Sequence, residues 1–115
     1  MNPEEFINLG HALIEDENYP AEVRYRTAIG RIYYGILHHI RLVKKLFYID
    51  TDRLHSDLID KINVQDSTLG NFLENMKEYR TIADYKLNKE INYRSVEDFL
   101  KFFNRVLKRL EKEEI

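Results

Sequence analysis

Apolar residues along this chain return at steps of three and four, and no alternation persists for more than about five positions. That period predicts helices and no sheet. Asn2-Pro3-Glu4-Glu5 starts the first helix: an Asn cap, Pro in the first turn, and acids at the positive end of the helix dipole. Its stripe is Phe6, Leu9, Leu13 and Ile14, and Asn18-Tyr19-Pro20 ends it. A long second helix is expected from about Ala21 to Leu46, with Val23, Ile29, Ile32, Tyr33, Ile36, Leu37, Ile40 and Val43 on its apolar face. Thr51 and Asp52 read as a cap before a short third helix through His55, Leu58, Ile59 and Ile62. Asp66-Ser67-Thr68 caps a fourth, carrying Leu69, Phe72, Leu73, Met76 and Tyr79 and ending near Ala83 or Asp84. Residues 86–92 lack periodicity and read as a loop. Ser95 is expected to cap a last helix with the stripe Val96, Phe99, Leu100, Phe103, Val106, Leu107 and Leu110.

The simplest way to bury these stripes is an all-α, antiparallel bundle of four main helices plus a short one, forming a single domain over residues 1–115. Ala21, Ala28 and Gly35 recur at sevens, a seam where another backbone can approach closely. Gly35 costs an exposed helix about 1 kcal/mol against Ala, so a packing reason is expected there. Phe102 points about 100° away from Phe103 and belongs to a wider core or to a subunit interface.

Composition narrows the functional classes. At 115 residues the chain is one domain in length, and 43% apolar residues suffice for a core. There is no Cys, which excludes disulfides, thiol nucleophiles and Cys-based zinc sites. No apolar run approaches the ~18 residues of a membrane helix, and the acidic N-terminus lacks a signal peptide's basic region. A cytoplasmic protein with no membrane contact is expected. The net charge of −2 hides segregation. Residues 1–19 hold five acids and no Lys or Arg, whereas residues 20–49 hold six Lys or Arg against Glu22 alone. The basic charge therefore lies on one helix, as a local field.

On that helix Arg24, Arg31, His38 and Lys45 fall at seven-residue intervals, beside a row of Thr27, Tyr34 and Arg41. Two helical turns return nearly to one azimuth, which makes a polar, largely cationic strip. Such a strip is either a solvated face or an anion-facing one with Tyr34 available for base stacking. Arg80 and Asp84 are i,i+4 neighbours, with Tyr85 beyond them. An Arg fixed by a carboxylate can hold a phosphodiester, and a nearby tyrosine hydroxyl can donate a hydrogen bond but is a poor general base. The adjacent His38 and His39 lack the i,i+4 spacing of a chelating pair. His55-Ser56-Asp57 resembles a triad only in composition. With no P-loop, Rossmann glycine pattern or HExxH, neither a metal nor a cofactor is expected.

The segments Arg31-Ile32-Tyr33-Tyr34-Gly35-Ile36-Leu37-His38 and Arg80-Thr81-Ile82-Ala83-Asp84-Tyr85 together resemble one subfamily of HEPN domains. These small helical modules occur in nucleotide-handling and RNA-cleaving systems. The likeness runs from Pro20 to Tyr85 in motif terms. It implies a HEPN-like bundle, a homodimer, and a ligand site of Arg31, Tyr34, His38, Arg80, Asp84 and Tyr85. Catalytic HEPN ribonucleases carry a His a few residues after the motif Arg, and Tyr85 stands there in this chain. The resemblance thus implies a nucleotide- or RNA-binding accessory module, paired with a minimal nucleotidyltransferase in a toxin–antitoxin-type system. The alternatives are a weak metal-independent endoribonuclease using Arg80 and His38, and a purely structural dimerisation module.

Overall fold

The computed structural model describes residues 1–46 and 54–113. It contains five α-helices, and no strand among the described residues: α1 (Pro3–Glu15), α2 (Ala21–Val43), α3 (Leu54–Gln65), α4 (Ser67–Tyr85) and α5 (Tyr93–Glu113). The expected Thr51-Asp52 cap and the side chain of His55 lie outside the described residues.

The all-α bundle follows from the stripes. Ile29, Ile32, Tyr33, Ile36, Leu37 and Ile40 of α2 pack with Leu58, Ile59 and Ile62, Leu69, Leu73 and Met76, and Val96, Phe99, Phe103, Val106 and Leu110 in one core. α2 is the central element and touches all four other helices. Contacts fix the directions: α1 runs antiparallel to α2, with Ile7 against Gly35 and Ile14 beside Arg24. α4 runs antiparallel to α5, with Asp66 at Arg109 and Tyr79 at Phe99.

Four details differ from the sequence expectation. The inner face of α1 is Pro3, Gly10 and Ile14, with Ile7 packed against the core, while Leu9 is 48% exposed. Val23, expected in the core, is 52% exposed because α2 begins before the bundle closes around it. α2 stops at Val43, three residues early. Lys45 takes the left-handed backbone (φ 56°), and the N–H groups of Lys45 and Leu46 bond back to the carbonyls of Leu42 and Arg41. This is a Schellman closure, with Leu46 buried behind it. Finally, the cap of α5 is Asn92. Its Oδ1 accepts from the Ser95 N–H at 3.1 Å, while the Ser95 hydroxyl accepts from the Asn92 N–H at 3.2 Å. That exchange is a capping box, with Ser95 inside the helix.

The small-residue seam is used inside the chain. A Cβ on Gly35 would lie 2.8 Å from the Pro3 carbonyl oxygen, so only Gly lets α1 cross there. Ala28 is buried at the same crossing, and Ala21 is exposed. Phe102 joins the wider core, half-buried with Phe72 and Tyr79 at ring separations of 6.5 Å.

Candidate functional site between α2 and α4

Neither α1 nor α4 has a basic residue in its last turn. Their C-terminal carbonyls concentrate partial negative charge that something must satisfy. Arginines from the start of α2 do so. Arg24 donates from Nη1 to the Ile14 carbonyl at 2.6 Å and from Nε to the Tyr19 carbonyl at 2.9 Å, closing α1. Arg26, only 8% exposed, donates to the carbonyls of Ile82 (2.9 Å), Ala83 (3.1 Å), Lys86 (3.4 Å) and Lys89, and to Glu22 at 2.9 Å. One guanidinium thus ties the end of α4 and the following loop to α2. Sequence reasoning counted Arg26 only as charge. The signal was present: Arg26 precedes Ile29, Tyr33, Ile36 and Ile40 at steps of three and four, a lone cation on an apolar face.

That knot presents the end of α4 to the middle of α2. Asp84 packs over Gly30, where a Cβ would lie 3.0 Å from its Oδ1 and 3.4 Å from its Oδ2. The missing side chain lets the carboxylate sit against the helix. Asp84 Oδ2 pairs with Arg80 Nε at 3.0 Å, and Arg80 Nη2 donates to the Tyr85 hydroxyl at 3.2 Å. The guanidinium also lies 4.9 Å from the centre of the Tyr85 ring and 6.0 Å from that of Tyr33, which is fully buried beneath it. Burial pushes the Tyr33 hydroxyl well above its usual range; the Arg80 charge opposes this, and Glu74 adds to it. Tyr33 is therefore a neutral floor. Arg80 is held on its Nε edge, and among the described residues its Nη1 makes no hydrogen bond. Tyr85 is 66% exposed, and because its oxygen accepts from Arg80, its own proton is left to donate outward.

Asp84 also lines a cleft of about 350 Å³ with Val23, Arg26, Thr27, Arg31, Ala83 and Leu87. Of the expected site residues, Arg31, Arg80, Asp84 and Tyr85 thus gather around the Asp84 carboxylate. Tyr34 and His38 form an adjoining row. Their rings are 4.4 Å apart, and Phe6 of α1 closes on Tyr34 at 4.8 Å. Arg31 joins the two groups, lining the cleft while lying 5.7 Å from the Tyr34 ring centre. His38 is two turns from Arg31, about 10 Å along the helix axis. The uninterrupted cationic strip does not survive: Arg24 is taken up by carbonyls, and Lys45 lies beyond the end of α2. Among the described residues, no helix is long and apolar enough to cross a membrane.

Comparison with known proteins leaves the assignment to this geometry. The chain is 25% identical to the uncharacterized protein MJ0628 of Methanocaldococcus jannaschii, over 89% of this chain and 74% of that one. It is 29% identical to the uncharacterized protein MJ0992 of the same organism, over 84% of this chain and 67% of the relative. No family model and no solved structure matches it.

Proposed function

We propose that this protein is a HEPN-like accessory module that binds a nucleotide or single-stranded RNA, acting as a homodimer beside a minimal nucleotidyltransferase in a toxin–antitoxin-type pair. The observation that carries the reading is Arg80, gripped by Asp84 and Tyr85 with one guanidinium edge open, one side chain away from the Arg31 cleft. A cation held on one edge by a carboxylate and a phenol is pre-organised for a phosphate oxygen on the other. A merely solvated surface pair needs neither the neutral aromatic floor nor the second ring.

Binding without cleavage fits the chemistry. Tyr85 stands where the ribonuclease His would be, and a phenol is a weak base near neutral pH. Fluorescence anisotropy with single-stranded RNA tests the reading. Affinity is expected to fall as salt rises, and Arg80→Ala to weaken binding by about 1–3 kcal/mol. Tyr85→His restores the catalytic spacing, and metal-independent cleavage is expected to appear in that variant alone. Robust cleavage by the wild type, abolished by His38→Ala, overturns the accessory reading in favour of an endoribonuclease. Light scattering that finds a monomer at tens of micromolar, an order-of-magnitude limit for a stable interface, overturns the dimer.

A further inference from the structure

The cleft contains a group that phosphate binding does not explain. Phosphate needs cations and donors, yet Asp84 adds a carboxylate to the wall. Only half of that carboxylate is used. Oδ2 pairs with Arg80, whereas Oδ1 accepts no hydrogen bond among the described residues and rests over the bare backbone of Gly30. The rest of the wall suits a flat, partly apolar body. Val23 and Leu87 are exposed, Ala83 is buried in the last turn of α4, and Arg31 stands at the polar side. A volume of about 350 Å³ is at the small end of the range for ligand clefts.

Resting on the nucleotide- or RNA-binding reading above, we infer that this cleft takes a nucleobase and that Asp84 Oδ1 selects bases offering an exocyclic amine, adenine, cytosine and guanine, over hypoxanthine and uracil. The amine of adenine, cytosine or guanine donates to the open carboxylate oxygen. Hypoxanthine and uracil place a carbonyl oxygen where adenine and cytosine carry theirs, which sets lone pair against lone pair in a site screened from water on one side. Their imino N–H is flanked by that same carbonyl and cannot approach Oδ1 without bringing it along. Arg31 and Arg80 act on phosphates and read no sequence; Asp84 adds the discrimination.

The test uses the full chain and four short homo-oligonucleotides of about six residues, a length matched to a small single-strand site: rA, rI, rC and rU. Anisotropy is expected to give rA over rI and rC over rU by about tenfold, the value of one charge-assisted hydrogen bond. In Asp84→Ser both ratios fall towards one. Loss of the Arg80 tether weakens every oligonucleotide alike and cancels in the ratio. Gly30→Ala, whose new methyl meets Oδ1 first, is expected to erase the ratios while the thermal midpoint stays near that of the wild type. Equal binding of all four by the wild type overturns base selection and leaves the phosphate-binding reading standing. Ratios unchanged in Asp84→Ser overturn the assignment to Asp84. Failure to bind any of the four overturns both.

Discussion

The first turns of α2 and the place where its middle meets α4 use arginine in opposite ways. Arg24 and Arg26, in the first turns, turn inward onto helix-end carbonyls and hold the molecule together. Arg31, five residues beyond Arg26, lines a cleft, and Arg80 on α4 pairs with Asp84 in the wall of that cleft while its Nη1 makes no hydrogen bond among the described residues. The difference is in the partners. Arg26, ringed by carbonyls and Glu22, has its donors taken up and is closed off from solvent. A guanidinium held on a single edge by a carboxylate keeps donors for a ligand. The structural pair comes first in the chain, and Arg26 fixes the end of α4 on which Asp84 and Tyr85 sit. The knot is thus the scaffold of the open site.

The largest effect that could break this comparison belongs to Arg26. Arg26→Ala removes the side-chain donor from four carbonyls, of which those of Ala83 and Lys89 have no other donor among the described residues, and frees the 86–89 loop; it is expected to cost about 2–4 kcal/mol in urea unfolding. Arg26→Lys is expected to recover only part, since one ammonium cannot span carbonyls on both the helix and the loop. A loss under about 1 kcal/mol would mean that the knot is decorative and the two classes of arginine are one.

Arg109 sharpens the comparison at the other end of α4. Its Nε donates to Asp66 Oδ2 at 2.8 Å, while Asp66 Oδ1 caps α4 through the Leu69 N–H. Asp66→Ala is expected to cost about 1–2 kcal/mol through loss of the cap. The Arg109 hydrogen bond, chiefly, holds the Asp66 carboxyl below its usual range; the Leu69 N–H helps and burial opposes. A depressed folded-state pKa means stability that is present above the unfolded value of about 4 and lost as pH falls through the folded one. Stability measured against pH should therefore fall below about pH 4 in the wild type, with a shallower slope in Asp66→Asn.

Where no arginine closes a helix, the backbone does so at some strain. Lys45 occupies the left-handed region at the end of α2, a conformation that favours Gly by about 1 kcal/mol. Lys45→Gly is expected to stabilise the protein by about that amount in thermal unfolding. The smallest effect should come from the open site: Arg80→Ala is expected to cost less than about 1 kcal/mol of stability, as an i,i+4 pair with both side chains still about a quarter exposed does, while weakening ligand binding. A stability loss as large as that of Arg26→Ala would erase the distinction between scaffold and site.

Much of the bundle was legible from periodicity. The stripes through Ile29–Ile40, Leu69–Met76 and Val96–Leu110 predict the core because burial of a helix face leaves a three-to-four-residue signature. The caps at Asn2 and Asp66 were legible too, since capping is local chemistry. Val23 was misplaced because a stripe gives an azimuth and not the point along a helix where its neighbours begin; Leu9 was misplaced because the inner face of α1 centres on Gly10, which carries no apolar signal in the sequence. The clustering of Arg80, Asp84 and Tyr85 follows from their spacing on one helix.

What only the tertiary structure decided is which cations remain available. The sequence determines that six basic residues lie on or just after one helix; it does not say that two of them answer carbonyls from other helices. Those carbonyls belong to the ends of α1 and α4, far away in the chain in the case of Arg26. Their demand for donors appears only when the ends converge. Likewise Gly30 reads in sequence as a weak point in a helix. It becomes a seat for Asp84 only once α4 lies across it. Periodicity is a property of one segment, and satisfaction of polar groups is a property of the packed whole.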